Sequence, residues 1–525
     1  MAGLNEKAPL QSGPGLASLG LSLNDVAILC QKKDRLLPEP SWAQPKENPR
    51  ETQGPNGPDG LNEPKIRDYG DRGLEIVTKV TLDSRLVGPG SIFVAIQGGA
   101  RDGHDFIGNA LANGALAAIA QNEAPGNFYE PKLIRVHDTT LALGNLAREV
   151  RLKVGAKIVA ITGSVGKTTV KEMIKNIFES QYQSEEILVT PGNYNNHLGV
   201  PLTLLSQSLK TKVGVVELGA NHFGEIAYLT QMVKPDAGLV TRAGAGHLEF
   251  FGSIDGVAQA KGELYENLPQ YATAIFNAHD ERLMKQAPLY KGKKYFFAFD
   301  CYQKGDKNEI ISVRGPEKST LSAQKILIKG PGLPESGREF KLSLFGGHNA
   351  LNAAAAAAAA RALGLDWPGI LEGLERVKPL EGRLRTVNLK NHMLALDAVY
   401  NANPTSVEAS LEIMRHLPNY VTRCAILGDM LELGQESRDW HLKIGRKAAE
   451  CGITWLGLVG SQAQLLAQGA MEGGLKANQL CETLSGEQAA LWILTMAPAY
   501  SVVLIIGSRG VRLEKALSAL RRERD

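Results

Sequence analysis

The sequence predicts an α/β protein of three domains, the last two built on mainly parallel sheets. Length is the first reason: 525 residues are too many for one hydrophobic core and fit about three domains of ~150 residues. The second is a repeated alternation of short apolar runs with helix-length segments, the pattern of parallel βαβ units. The third is a glycine-containing loop, GSVGKTT, set between one such run and a helical pattern. Open α/β sheets bind their ligands at such strand-to-helix turns.

Composition narrows the classes. Apolar residues make up 43% of the chain and charged residues 22%, ordinary for a soluble globular protein. A formal net charge of +3 is too small to point to nucleic acid or a membrane surface as partner. No apolar run approaches the ~20 residues of a membrane span. The start, MAGLNEKAPLQSG, lacks the basic and apolar regions of a secretory signal. The five cysteines, Cys30, Cys301, Cys424, Cys451 and Cys481, include no C-x-x-C pair, so neither a disulfide framework nor a zinc site is indicated. We expect a cytoplasmic protein, working as a monomer.

The first domain is expected over 1–153. It opens with a short helix candidate at Leu21–Cys30, followed by a breaker-rich stretch in which seven prolines fall from Pro38 to Pro64. That composition buries too little to offset ordering, so 31–72 reads as a flexible insertion. VTKVTLDSR and SIFVAIQG read as a pair of strands, and HDFIGNALANGALAAIA as helix then strand. The central domain is expected over 154–345, with KIVAIT, VGVVEL, AGLVT and ATAIFN as strands. The last is expected over 346–525, with strands MLALDAV, RCAILGDM, WLGLVG and SVVLIIG, which makes it Rossmann-like. FGGHNALNAAAAAAAARALG leads into it as a glycine turn and an alanine-rich helix, read as helix propensity and close packing.

The sharpest chemical signal is Gly163, Ser164, Val165, Gly166, Lys167, Thr168 and Thr169. Backbone N–H groups of such a loop point at phosphate oxygens, with the positive end of the helix dipole behind them. Lys167 would neutralise the β- and γ-phosphates and the Thr168 hydroxyl would hold magnesium. Ile161 stands where the common spacing has its first glycine; the strand–loop–helix setting still makes this a P-loop and ATP the expected nucleotide. Glu217, ending VGVVEL, can supply the carboxylate that magnesium needs beside phosphates, or be a solvated strand-end acid. His247 in AGAGHLEFFG reads alone as a loop histidine, and Lys261 in VAQAKGELYENL as a solvated helix-face residue. Asn193, Asn195 and Asn196 in TPGNYNNHLGVP favour turns and equally suit a substrate anion.

Taken in order, GSVGKTT, TPGNYNNHLGVPLTLL, ELGANHFGEI, AGHLEFFGS, AKGE, FGGHNALNAAAA, EGR, YNANPTS, LGDMLELG and GSRG resemble the Mur-type ligases over about 75–525. The asparagine loop, the YNANP turn and GDMLELG resemble the branch that adds D-alanyl-D-alanine to a UDP-N-acetylmuramoyl tripeptide. The resemblance implies ATP and Mg2+ as cofactors and an acyl phosphate on the tripeptide's terminal carboxylate. It matches Thr168 and Glu217 to magnesium ligands, His247 to a ligand of a second magnesium, and Lys261 to a carbamylated lysine near the metal. It places Asn349 and Asn352 on the adenine side of ATP, Arg383 on its phosphates and Asp397 on its ribose. Ser84 and Arg85, with the RDGH turn at Arg101–His104, match the uridine-nucleotide module, and Asn401 and Asn403 the peptide-substrate side.

Three positions depart from the resemblance. Ala398 stands where a second acid is usual after Asp397, Ile506 where lysine is usual before G-S-R, and Arg242 where asparagine is frequent. A sister ligase adding a single amino acid is the first alternative; the D-x-P-R-like motif of the diamino-acid-adding relatives is missing. A ligase-like nucleotide-binding protein without catalysis is the second, supported by Ala398 and Ile506.

Overall fold

The computed structural model describes residues 16–31, 69–98, 101–121, 132–300, 309–316 and 321–522. Most of the expected 31–72 insertion, residues 32–68, lies outside the described residues. Its edges carry structure: Leu23–Gln31 is a helix and Gly70–Leu74 a 3-10 turn, and the Tyr69 hydroxyl donates to Leu133 O at 2.9 Å. The chain divides into two compact units. One holds the chain up to Thr162 with Gln181–Leu239 and Glu263–Ala274, the other Gly163–Ser180, Val240–Gly262 and everything from Ile275.

In the first unit, β1 (Lys79–Thr81), β2 (Ser91–Val94), β3 (Ala117–Gln121) and β4 (Leu133–Val136) form a sheet in sequence order, every pair parallel. The runs SIFV and AAIA are buried along their whole length, as strands covered on both faces must be. The helix Thr139–Val154 is bounded by local chemistry. Asp138 accepts from Leu141 N–H at 2.8 Å at its start, and Gly155 closes it at φ +69°, a left-handed cap glycine adopts without a Cβ clash.

The same unit carries β5 (Lys157–Thr162), β6 (Ile187–Val189), β7 (Val213–Glu217) and β8 (Ala237–Val240), in the order β8-β5-β7-β6. β5 and β6 both pair parallel to β7. Ile161 and Glu217 are register partners, so the Glu217 carboxylate stands level with the end of the strand that delivers Gly163. All five residues of β7 are buried. The C-terminal ends of parallel strands are where loops gather functional groups.

β9 (Thr273–Asn277) passes from the first unit into the second at Ile275, and β10 (Lys293–Phe299), β11 (Ile310–Arg314), β12 (Gln324–Lys329) and β13 (Arg338–Leu342) follow as neighbours in that order. β10 and β11 are parallel, whereas β11/β12 and β12/β13 are antiparallel. β14 (Arg385–Asn388), β15 (Leu394–Ala398), β16 (Arg423–Gly428), β17 (Trp455–Val459), β18 (Leu480–Thr483) and β19 (Val502–Ile506) make a six-stranded sheet ordered β14-β15-β19-β16-β17-β18. Only β14 is antiparallel to its neighbour. β4, β6, β10–β14 and β18 add to the strands expected from sequence.

The alanine-rich helix, Gly347–Ala362, packs against the helix Lys167–Glu179 and against β10 and β11. Ala353–Ala360 are each no more than 1% exposed. A helix buried on every side needs side chains that let neighbours approach from all directions, and alanine supplies this with full helix propensity. The helix after the P-loop is held on another face by Trp367–Arg376. A Cβ built on Gly373 would stand 2.3 Å from Ile177 Cα and 2.6 Å from Ile177 N. Backbone cannot yield as a side chain can. We predict that Gly373→Ala destabilises the protein by about 2 kcal/mol, read by chemical denaturation; a change below ~0.5 kcal/mol would contradict this packing.

Candidate active site

β5 ends in a loop that only two glycines can shape. Gly163 has φ +139°, and a Cβ there would lie 2.1 Å from Thr241 Oγ1; Gly166 has φ +88°, with Asn352 Oδ1 2.9 Å from its would-be Cβ. Gly166 caps the helix that begins at Lys167. Ser164 through Thr169 are half-buried, presenting their edges at the head of a 13-residue helix whose dipole favours anions. The loop is strapped to the segment after β8. Ser164 N–H donates to Arg242 O at 2.8 Å, Thr241 Oγ donates to Val165 O at 2.6 Å, and Ser164 Oγ exchanges hydrogen bonds with the Gly244 backbone at 3.0 and 3.1 Å. Lys167 Nζ donates to Gly163 O at 2.6 Å.

Arg383 reaches this loop. Its Nη2 donates to Thr168 Oγ1 at 2.9 Å, and its guanidinium lies 4.2 Å from the centre of the Tyr400 ring, which Arg509 also approaches at 5.5 Å. Asp397 lies behind this group, 1% exposed, accepting from Gly382 N–H at 3.0 Å and Arg385 Nη2 at 3.2 Å. In this arrangement Asp397 orders the turn that carries Arg383. Asn349 donates to Phe345 O at 2.8 Å and receives Asn352 Nδ2 at 3.2 Å, which leaves Asn352 against Gly166 as the member nearer the loop.

Two more turns close on the segment after β8. Asn403 caps the helix Pro404–Arg415, accepting Ser406 N–H at 2.9 Å while Ser406 Oγ accepts Asn403 N–H at 3.0 Å. Next to it, Thr405 Oγ1 accepts Ala245 N–H at 3.0 Å. Asn401 is exposed and accepts Arg509 N–H at 3.4 Å. His247, at φ +57°, pairs through Nδ1 with Glu432 Oε2 at 2.6 Å. The imidazole beside it holds the Glu432 carboxyl below the usual carboxylate range, against burial, which pushes it up. Lys261, read from sequence as solvated, is instead 2% exposed, with Nζ 5.3 Å from the Phe251 ring centre. The helical period put it on the inner face of Ile254–Glu266.

In the first unit, Glu217 is 3% exposed; its N–H donates to Thr190 Oγ1 and its Oε1 accepts Asn195 Nδ2, both at 2.9 Å. The three asparagines thus divide. Asn195 holds Glu217, Asn196 Oδ1 accepts Gly199 N–H at 2.8 Å where the helix Gly199–Leu205 begins, and Asn193 stays exposed. Asp83 accepts from Arg85 N–H at 2.9 Å and pairs with its guanidinium at 2.7 Å, which holds Asp83 below its ordinary range. Ser84 gives its carbonyl to Asn113 Nδ2 at 3.2 Å. In the RDGH turn, His104 Nδ1 meets Asp102 at 2.6 Å while Nε2 accepts Gln121 N–H at 3.0 Å, so this imidazole is part of the fold. Among the described residues no cluster of three or more His, Cys, Asp or Glu has a metal-holding arrangement.

Sequence reasoning quoted the motifs containing Tyr400, Thr405 and Glu432 without singling these residues out. Of the three departures, Ala398 and Ile506 are register partners on β15 and β19, 5% and 2% exposed. Arg242 is exposed, and it is its carbonyl that serves the P-loop.

The Mur ligase middle domain matches residues 161–360, the Mur ligase glutamate ligase domain 382–509, and the Mur ligase family catalytic domain 76–151. The chain belongs to the Mur ligase family. Within it, the chain is 37% identical over 444 residues to the UDP-N-acetylmuramoyl-tripeptide–D-alanyl-D-alanine ligase of Escherichia coli, spanning 84% of this chain and 93% of that one. Among solved structures, MurF from Acinetobacter baumannii superposes with a TM-score of 0.75 at 32% identity, over 85% of this chain and 93% of that chain. MurF from Thermotoga maritima in complex with ADP gives 0.72 at 28% identity, over 85% and 97%. The three-region α/β architecture is that of these ligases.

A stability prediction follows from His441, which is buried and supports the Glu432 loop by accepting Met430 N–H at Nε2, 3.0 Å, with Nδ1 2.6 Å from Ser437 O. Burial lowers its pKa, opposed by the Ser437 carbonyl and by Asp429. A depressed folded pKa gives stability that is complete above the ordinary imidazole value and is lost as pH falls toward the folded one. The thermal midpoint of the wild type should drop between about pH 7 and about pH 5, and His441→Gln should flatten that drop. Equal slopes would contradict the assignment.

Proposed function

We propose that this chain joins D-alanyl-D-alanine to a UDP-N-acetylmuramoyl tripeptide, binding ATP and forming an amide bond in peptidoglycan precursor synthesis. The observation that carries the reading is a P-loop whose Thr168 is gripped by Arg383, in a chain matched over 93% of the Escherichia coli ligase.

The chemistry follows from the weakness of a carboxylate as electrophile. One oxygen of the tripeptide's terminal carboxylate attacks the γ-phosphorus of ATP, the bond to the bridging oxygen breaks, and ADP leaves. The dipeptide amine then attacks the carbonyl carbon of the acyl phosphate and loses a proton. The tetrahedral carbon expels inorganic phosphate, which keeps the carboxylate's oxygen. The protein's part is to position and to neutralise charge. Lys167 and Arg383 flank the phosphates, Asn352 lies on the side of Gly166, and the exposed Asn193 and Asn401 are free to meet peptide. Asn195, Asn196 and Asn403 act through Glu217 and through helix starts.

Thr168 and Glu217 would hold magnesium, which shields phosphate charge when bound. His247 and Lys261 would serve a second ion, Lys261 as its carbamate, which would turn the buried ammonium into an anion. Asp397 serves ribose only if it exchanges its present bonds to Gly382 and Arg385. Among the described residues no helix is long and apolar enough to cross a membrane. We place the reaction in the cytoplasm, where ATP and UDP-linked precursors meet, with the chain working as a monomer.

The test is phosphate release from ATP with the UDP-muramoyl tripeptide, with and without D-alanyl-D-alanine. Release should require both, and Lys167→Ala should lower turnover by at least about 100-fold. Release with single amino acids in place of the dipeptide, or near-wild-type turnover of the variant, would contradict the reading.

A further inference from the structure

Two arginines share one ring. The Arg383 guanidinium lies 4.2 Å from the centre of Tyr400 and the Arg509 guanidinium 5.5 Å, both within the ~6 Å reach of a cation–π contact. Arg383 is engaged by Thr168. Arg509 is exposed, and its guanidinium has no hydrogen bond or ion pair among the described residues. We propose that Arg509 binds the carboxylate of the incoming dipeptide and so selects a substrate that ends in a free acid. The inference rests on the reading of this chain as a ligase of D-alanyl-D-alanine.

The turn that carries Arg509 is fixed by its neighbours. It follows β19, whose Ile505 and Ile506 pair with Asp397 and Ala398 of β15. The turn holding Tyr400 and Asn401 and the turn holding Ser508 and Arg509 thus leave adjacent parallel strands side by side. Ligands of open α/β sheets bind at such ends. Arg509 N–H donates to Asn401 Oδ1 at 3.4 Å, Ser508 Oγ to Ala402 O at 3.1 Å, and Leu431 N–H to Ser508 Oγ at 2.9 Å. Beside the arginine, a Cβ on Gly510 would stand 2.9 Å from Leu431 Cδ1, and Leu431 is 48% exposed. A cation next to open apolar surface suits the last residue of D-alanyl-D-alanine, a carboxylate with one methyl group.

Length agrees. Lying 4.2 and 5.5 Å from one ring centre, the two guanidiniums are at most about 10 Å apart. An extended dipeptide spans about 7 Å. Its amine can therefore face the acyl phosphate on the Arg383 side while its carboxylate meets Arg509. That carboxylate is ionised at neutral pH, and a guanidinium binds it through two parallel hydrogen bonds. The other exposed arginine of this segment, Arg512, has no ring contact among the described residues and serves as the control.

The test compares D-alanyl-D-alanine with its C-terminal amide, in phosphate release by the full-length enzyme with ATP and the UDP-muramoyl tripeptide. Wild type should favour the acid by about 10–100-fold in kcat/KM. Arg509→Gln should lose that preference by using the acid less well, with kcat/KM for the amide and the KM for ATP each within about twofold of wild type. Arg512→Gln should keep the preference. A merely structural defect would lower both substrates alike. Equal use of acid and amide by wild type, an undiminished preference in Arg509→Gln, or its loss in Arg512→Gln instead would overturn the proposal. Turnover of single amino acids, with none of the dipeptide in either form, would overturn the ligase reading beneath it. The wild-type comparison stands without any variant.

Discussion

Thr168 is the residue on which the site turns, because its hydroxyl accepts from Arg383 Nη2 at 2.9 Å while its backbone lies in the first turn of the P-loop helix. Arg383 owes its place to a chain of contacts: its guanidinium stacks on Tyr400, Gly382 N–H binds Asp397, and Arg385 holds the same carboxylate. A guanidinium buries more readily than an ammonium and keeps its charge at any physiological pH. A fixed cation therefore sits beside the loop where phosphate charge has to be met. Moving Asp397 would move Arg383, and moving Arg383 would release Thr168.

Around that contact, three turns meet the segment after β8. The P-loop binds it through Ser164, the YNANPTS turn through Thr405, and the GDMLELG loop through Glu432. The glycines of AGAGH make this possible: a Cβ on Gly244 would lie 2.6 Å from Thr405 Oγ1, and one on Gly246 3.1 Å from Asn403 Nδ2. The bulk of a side chain there would push the turns apart. The loops here are set by hydrogen bonds and ion pairs between them over rigid strand ends.

What the sequence disclosed and what it hid follow from the range of each signal. The P-loop was legible because strand, glycines, lysine and helix are contiguous, and the core strands because buried parallel strands are uninterrupted apolar runs. β12 and β13, QKILIK and REFKL, alternate with charge and carry little apolar signal, so the antiparallel extension of the central strands was missed. Read alone, Lys261 looked solvated, because a helix face cannot be assigned inside or outside without its neighbours. Asn403 and Asn196 were read as substrate contacts, but the residue types that bind anions are the same that start helices. That Ala398 and Ile506 are neighbours was hidden too, because 108 residues of chain separate two positions that strand pairing makes adjacent.

The central claim is that ATP activates the tripeptide carboxylate as an acyl phosphate. The most direct measurement is to label that carboxylate with heavy oxygen, run the reaction with ATP and D-alanyl-D-alanine, and weigh the released phosphate. One labelled oxygen in each phosphate, together with a UDP-muramoyl pentapeptide, is the predicted result. Unlabelled phosphate alongside the same product would contradict it, because the carboxylate oxygen would never have been bonded to phosphorus.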